Sequence, residues 1–304
     1  MLKLKNNKKP LDEEVQKNIG EEQFFQSETE ETSESTMIVE IKERTKPNDD
    51  DLAEFFDLAR LVDEPFSDIK SDFFLYRIRK FMTKIQKAVV RNELSESEWQ
   101  KNFFAANYLT TGGMVVAPIY LPACAAQTKK HDLYNVCVGS IIDFPFGESS
   151  FKAKLASIKE SLKKGADEIH VALPSMLISE ENAKELKKQV KKISALGVPS
   201  GVVLNASDLD ETKIGQAMKV ITKTKLSFVT FAFGEATIDE VKNKMAIIND
   251  YRQGKKVFVL ANVESAEAVM ELVKLKADKI LTPYADVIGE DLVKRFKVKK
   301  PRRV

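Results

Sequence analysis

A chain of 304 residues with 43% apolar and 31% charged side chains is long enough for one large domain or two small ones, and has the balance of a globular protein. A net charge of +2 singles out no charged partner, and two cysteines in apolar surroundings, Cys124 and Cys137, exclude a disulfide scaffold and point to a reducing, cytoplasmic setting. No secretory core opens the chain, no apolar run reaches the roughly 18 residues of a membrane span, and two distant histidines without a cysteine cluster argue against a metal.

Residues 1–50 are polar, with segments such as "GEEQFFQSETEETSES" that cannot bury enough apolar surface to offset chain entropy, and are expected to form a disordered tail. Within them "TMIVEIKE" (36–43) alternates and could add an isolated strand. An ordered domain is expected over 51–293. "LAEFFDLARLVD" (52–63) has helical spacing, and "DFFLYRIRKFMTKIQKAVV" (72–90) puts Phe74, Ile78, Phe81, Ile85 and Val89 on one stripe, the pattern of a surface helix packed on a core. After residue 110 strands alternate with helices. The expected strands are 113–120, 133–145, 167–174, 199–207, 226–233, 255–263 and 278–284. Serine caps open the helical segments after Ser149–Ser150 and at Ser179, Gly165 and Gly197 close them, and "SAEAVMELVKLK" (265–276) separates the last two strands. The strands are apolar almost throughout, as in a parallel sheet covered on both faces. With one more strand before residue 110 the count is eight, that of a (β/α)8 TIM barrel; a doubly wound open sheet is the alternative. The basic end, 294–304, carries no aromatic platform, so a solvated tail is expected and nucleic acid is not.

Four segments together resemble the deoxyribose-phosphate aldolase family: "MVVAPIYLPACAAQ" (114–127), "DFPFGESSFKAKLASIKESLKKGADEIHVALP" (143–174), "VVLNASDLDETKI" (202–214) and "FVTFAFGEAT" (228–237). The Phe-Pro-x-Gly turn, the Gly-Ala-Asp-Glu lead into the fourth strand and the Leu-Asp after the fifth stand at matching spacing. "LARLVD" (58–63) looks like the family's first strand, so that the resemblance spans about 52–290. It implies a class I aldolase barrel, in which a buried lysine attacks an aldehyde to form an imine, without a cofactor.

The residues of that chemistry are replaced. The family's Phe-hydrophobic-Lys-Thr-Ser-Thr-Gly motif reads "FVTFAFG" here, which puts Thr230 where the resemblance implies the nucleophile. His170 stands for the proton-transferring aspartate, Phe258 for the second lysine, and Asn205 for a glutamate. Ala261 and Asn262 replace one phosphate-binding glycine pair, and Pro283, Tyr284 and Ala285 the other phosphate loop. Lys225, Lys255, Lys256 and Lys279 open strands, at the face opposite a barrel's active site. The leading expectation is therefore an aldolase-like protein without Schiff-base activity, serving binding, scaffolding or regulation. Asp143, His170, Asn205, Thr230, Asn262 and Tyr284 would line a pocket for a small molecule in the barrel mouth, and self-association is open. The alternative is an active lyase or a repurposed enzyme for a small sugar phosphate or carbonyl compound.

Overall fold

Short runs of β-branched and aromatic residues alternate with capped amphipathic segments, and each run becomes a strand because helices cover it outside and side chains fill it inside. The computed structural model describes residues 77–90, 112–130 and 136–295. The strands are β1 (Ile85–Val89), β2 (Met114–Val116), β3 (Val138–Ile142), β4 (Glu168–Ala172), β5 (Ser200–Asn205), β6 (Phe228–Ala232), β7 (Lys256–Leu260) and β8 (Lys279–Thr282). All neighbours pair in parallel and β1 pairs with β8, so the sheet is a closed (β/α)8 TIM barrel. The open-sheet alternative is thereby excluded.

Among the described residues seven helices follow strands and cover the outside: α1 (Leu121–Lys130), α2 (Phe151–Lys163), α3 (Ala183–Ile193), α4 (Glu211–Ile221), α5 (Ile238–Tyr251), α6 (Ala266–Lys274) and α7 (Ala285–Arg295). Local chemistry fixes their starts. Ser150, Asp210 and Ser265 accept from the backbone N–H three residues on, and Thr237 with Glu240 forms a reciprocal capping box. The backbone at Gly165 and Gly197, just beyond α2 and α3, is left-handed, the conformation that glycine adopts without strain.

Several expectations need correction. The stripe of 72–90 is not one helix: helical residues 77–82 give way to a turn, and Ile85 and Val89 belong to β1. Ile78 and Phe81 still share a core with Ile85 and Val89, which is why the stripe looked continuous. The first barrel strand is therefore not 58–63, a segment outside the described residues, as are 1–50 and 36–43. The strand expected over 113–120 stops at Val116, because Pro118 cannot donate to a ladder and starts a 3₁₀ turn instead. α3 starts after Asn182; Ser179 accepts from the Asn182 N–H one turn earlier. Lys294 and Arg295 lie in the last turn of α7, and 296–304 lie outside the described residues.

Two cores result. Between barrel and helices pack Ile169, Val171, Val202 and Val229, whereas Ala172, Val203, Phe228, Phe258 and Leu281 fill the bore. Cys124 is buried and Cys137 half-buried, and burial pushes both thiols up to about 12, which leaves them inert. Among the described residues no helix is long and apolar enough to cross a membrane, and no cluster of metal-ligating side chains occurs.

Candidate functional site

Strand alternation decides which side chains enter the bore. On β4, Ile169 and Val171 face the helices, so Glu168 and His170 face inward. On β6 the same rule turns Phe228, Thr230 and Ala232 inward. The His170 imidazole crosses the bore: its Nδ1 lies 3.2 Å from Thr230 Oγ1, and its Nε2 lies 2.8 Å from Glu168 Oε1. The same carboxylate oxygen accepts from Gln86 Nε2 of β1 at 3.1 Å. Strands β1 and β4 are not neighbours, so this bond also spans the bore.

The electrostatics follow from that geometry. Burial alone raises the Glu168 carboxyl, but the hydrogen bond and charge of His170, the Lys279 ammonium and the Gln86 amide outweigh it and bring Glu168 down to about 2. An ionised carboxylate only accepts, so His170 donates from Nε2. Nδ1, the other ring nitrogen, is then the atom that faces the Thr230 hydroxyl, which accepts from an imidazolium or donates to a neutral ring. Carboxylate, imidazole and hydroxyl thus stand in the order that activates a nucleophile.

That line of groups is sealed. Thr230 and His170 are both 0% exposed. Phe228 and Phe258 stack at 4.3 Å, and His170 tilts against Phe228 at 4.6 Å. Gly201 makes room for this plug: a Cβ there would come within 2.2 Å of the Phe228 ring. One layer towards the mouth, Ala172, Ala232 and Leu260 are also buried.

The remaining expected residues sit at the mouth, at the C-terminal strand ends, and do not join this line. Asp143 accepts from the Ser149 N–H and hydroxyl, at 2.9 and 2.7 Å, and so organises the turn after β3. Asn205 donates to Asp208 at 2.9 Å, Asn262 donates to Glu235 at 3.1 Å, and Tyr284 is half-buried. Phe258 belongs to the plug.

Sequence reasoning missed three groups. Glu168 was read only as part of a lead into β4, although its i, i+2 relation to His170 on a strand puts both on one face. Lys87 of β1 points outward and is buried against α7, bonded to Pro283 O and Asp286. Lys154 of α2 is 2% exposed and donates to the carbonyls of Gly147 and Ala172, with Asp143 at 3.4 Å. Burial lowers its pKa and Asp143 partly restores it. It clamps the Phe144–Gly147 turn onto the end of β4. Lys154→Met is expected to cost about 2 kcal/mol by orphaning two carbonyls, read as a drop in urea midpoint at constant slope.

Curated proteins resemble the chain over most of their own length. Over 222 residues the chain is 22% identical to the deoxyribose-phosphate aldolase of Aquifex aeolicus, covering 72% of this chain and 97% of that protein. Over 207 residues it is 26% identical to that of Dictyoglomus turgidum, covering 66% and 91%. The chain is a divergent relative of the deoxyribose-phosphate aldolases. No protein-family model matches it. Solved structures share the barrel of this aldolase relative. QR15, an aldolase, superposes with a TM-score of 0.64 at 20% identity over 72% of this chain and 98% of its own. The tetrameric deoxyribose phosphate aldolase of Aeropyrum pernix gives 0.61 at 20% identity, over 74% and 96%.

The strand-opening lysines of the aldolase relative are where the sequence placed them. Lys255 donates to the carbonyls of Thr224 and Leu226 at the N-terminal face, and Lys279 lies over the Phe258 ring with Gly112 O at 3.4 Å.

Proposed function

We propose that this aldolase relative has lost Schiff-base chemistry and acts as a binding, scaffold or regulatory protein. One observation carries the reading. Thr230, at the position the motif comparison gives to the nucleophilic lysine, is wholly buried, and its hydroxyl is held by His170. A hydroxyl forms no imine, and the lysines described above are engaged elsewhere or sit at the opposite face. The phosphate-binding positions hold Asn262, Pro283 and Tyr284, and Pro283 has no N–H to offer.

A second reading is an enzyme that uses the Glu168–His170–Thr230 line on a small carbonyl or sugar compound. The hydrogen-bond order favours it; the burial of Thr230 opposes it, since an electrophile must come within about 3.5 Å of the attacking oxygen. A small molecule in the mouth, bounded by Asn205, Asn262 and Tyr284, fits the first reading as a regulatory ligand. That the Aeropyrum pernix aldolase is tetrameric supports self-association here.

Cleavage of 2-deoxyribose 5-phosphate, followed by coupled reduction of released acetaldehyde, tests the proposal. No release above a protein-free blank is expected. Turnover that tracks the purified chain would overturn it.

A further inference from the structure

Among the described residues the starts of β6, β7 and β8 and the ends of β5, β6 and β7 carry opposite charge, beyond what the helices require. Helices run back from the mouth, so acids in their first turns and bases in their last turns match the helix dipoles and call for no other explanation. The loops carry a second layer of charge. Leading into and opening β6, β7 and β8, segments 222–227, 252–256 and 275–279 hold Lys223, Lys225, Arg252, Lys255, Lys256, Lys276 and Lys279, against Asp278 alone. Arg252 pairs with Asp278, Lys255 caps two carbonyls, and Lys279 turns inward. Lys223, Lys225, Lys256 and Lys276 are exposed.

At the other end of the same strands the sign reverses. Loops 205–210, 233–237 and 261–265, after β5, β6 and β7, hold Asp208, Asp210, Glu235 and Glu264, all exposed, and no lysine or arginine. Thus β6 lies between Lys223 and Lys225 at one end and Glu235 at the other, and β7 leads from Lys256 towards Glu264. A second copy displaced along the barrel axis brings its acidic loops against these lysines without turning the molecule over.

We propose that the lysine-rich N-terminal face is an interaction surface for a second copy of this chain, which docks through its acidic mouth loops. The contact is heterologous, so each pair leaves one basic and one acidic face unused, and copies add head to tail. Its groups are exposed, so each ion pair is weak and the association is screened by salt. The large apolar side chains that stay exposed, Ile119, Phe146, Met176 and Val287, all follow strand ends on the mouth side. Among the described residues none lies on the lysine face, whose described part therefore offers little to the interior of a membrane.

Sedimentation of the full chain across a concentration series tests this, at ionic strengths of about 0.01 M and about 1 M, where the Debye lengths are about 30 Å and about 3 Å. A mass that rises with concentration at low salt only is expected. A basic-face variant (Lys223→Glu, Lys225→Glu, Lys256→Glu, Lys276→Glu) and a mouth variant (Asp208→Lys, Glu235→Lys, Glu264→Lys) should each stay monomeric, with circular dichroism unchanged. Mixed, they should associate again, because each then meets its opposite. A constant mass for the unaltered chain overturns the proposal, as does an oligomer that both reversals leave intact. So does a mixture that stays monomeric, or a lysine face that retains a polyphosphate while the chain shows no self-association.

Discussion

Glu168→Ala is expected to destabilise the barrel by about 3–5 kcal/mol, because it strips a buried, hydrogen-bonded charge from His170 and Gln86 at once. Neither partner can turn to water: His170 is fully buried and lies against Phe228. Thermal or urea unfolding read by circular dichroism measures the loss. A cost under about 1 kcal/mol, the range of an exposed pair, would mean that the carboxylate is solvated.

The same group makes an acid limb. Its folded value of about 2 lies below the ordinary 4.5, so the native state holds the carboxylate more firmly than the unfolded chain does. The stabilisation is complete above about pH 4.5 and is lost as pH falls towards about 2, a difference of about 3 kcal/mol at 1.36 kcal/mol per pH unit. Glu168→Gln, which cannot ionise, should show a shallower fall over that window than the unaltered chain. Parallel curves would contradict the account.

Gly201→Ala is expected to cost about 3 kcal/mol, at the upper end for overpacking. The added Cβ would stand 2.2 Å from Phe228 Cδ2 and 2.6 Å from the Phe228 backbone oxygen. A ring can swing aside, but a β6 carbonyl cannot without disturbing its pairing with β5 or β7. Phe228→Leu in the same chain should therefore restore only part of the loss, which a double-mutant cycle measures. Full tolerance of alanine would show that the bore is not packed around this glycine.

The repeat of strand and helix was legible because parallel strands covered on both faces leave continuous apolar runs, and Ser150 and Gly165 mark helix ends by local chemistry. β1 was not legible, since Ile85 and Val89 fit a helical stripe and a strand equally well and only pairing with β2 and β8 decides between them. At the site, the sequence placed His170 on a strand and Thr230 in an apolar run. The bond between them could not be read, because β4 and β6 are not adjacent and meet only across a closed bore. Lys154 escaped for a related reason: on the helical wheel of α2 it reads as one more surface lysine, and its burial depends on where the Phe144–Gly147 turn lands.

The measurement that bears most directly on the central claim is borohydride trapping with 2-deoxyribose 5-phosphate and with acetaldehyde, read by intact-protein mass spectrometry beside an active aldolase. The account predicts a reduced adduct on the control and none on this chain, because Thr230 offers a buried hydroxyl in place of an amine. A stoichiometric adduct that peptide mapping assigns to a single lysine would contradict it and identify the nucleophile.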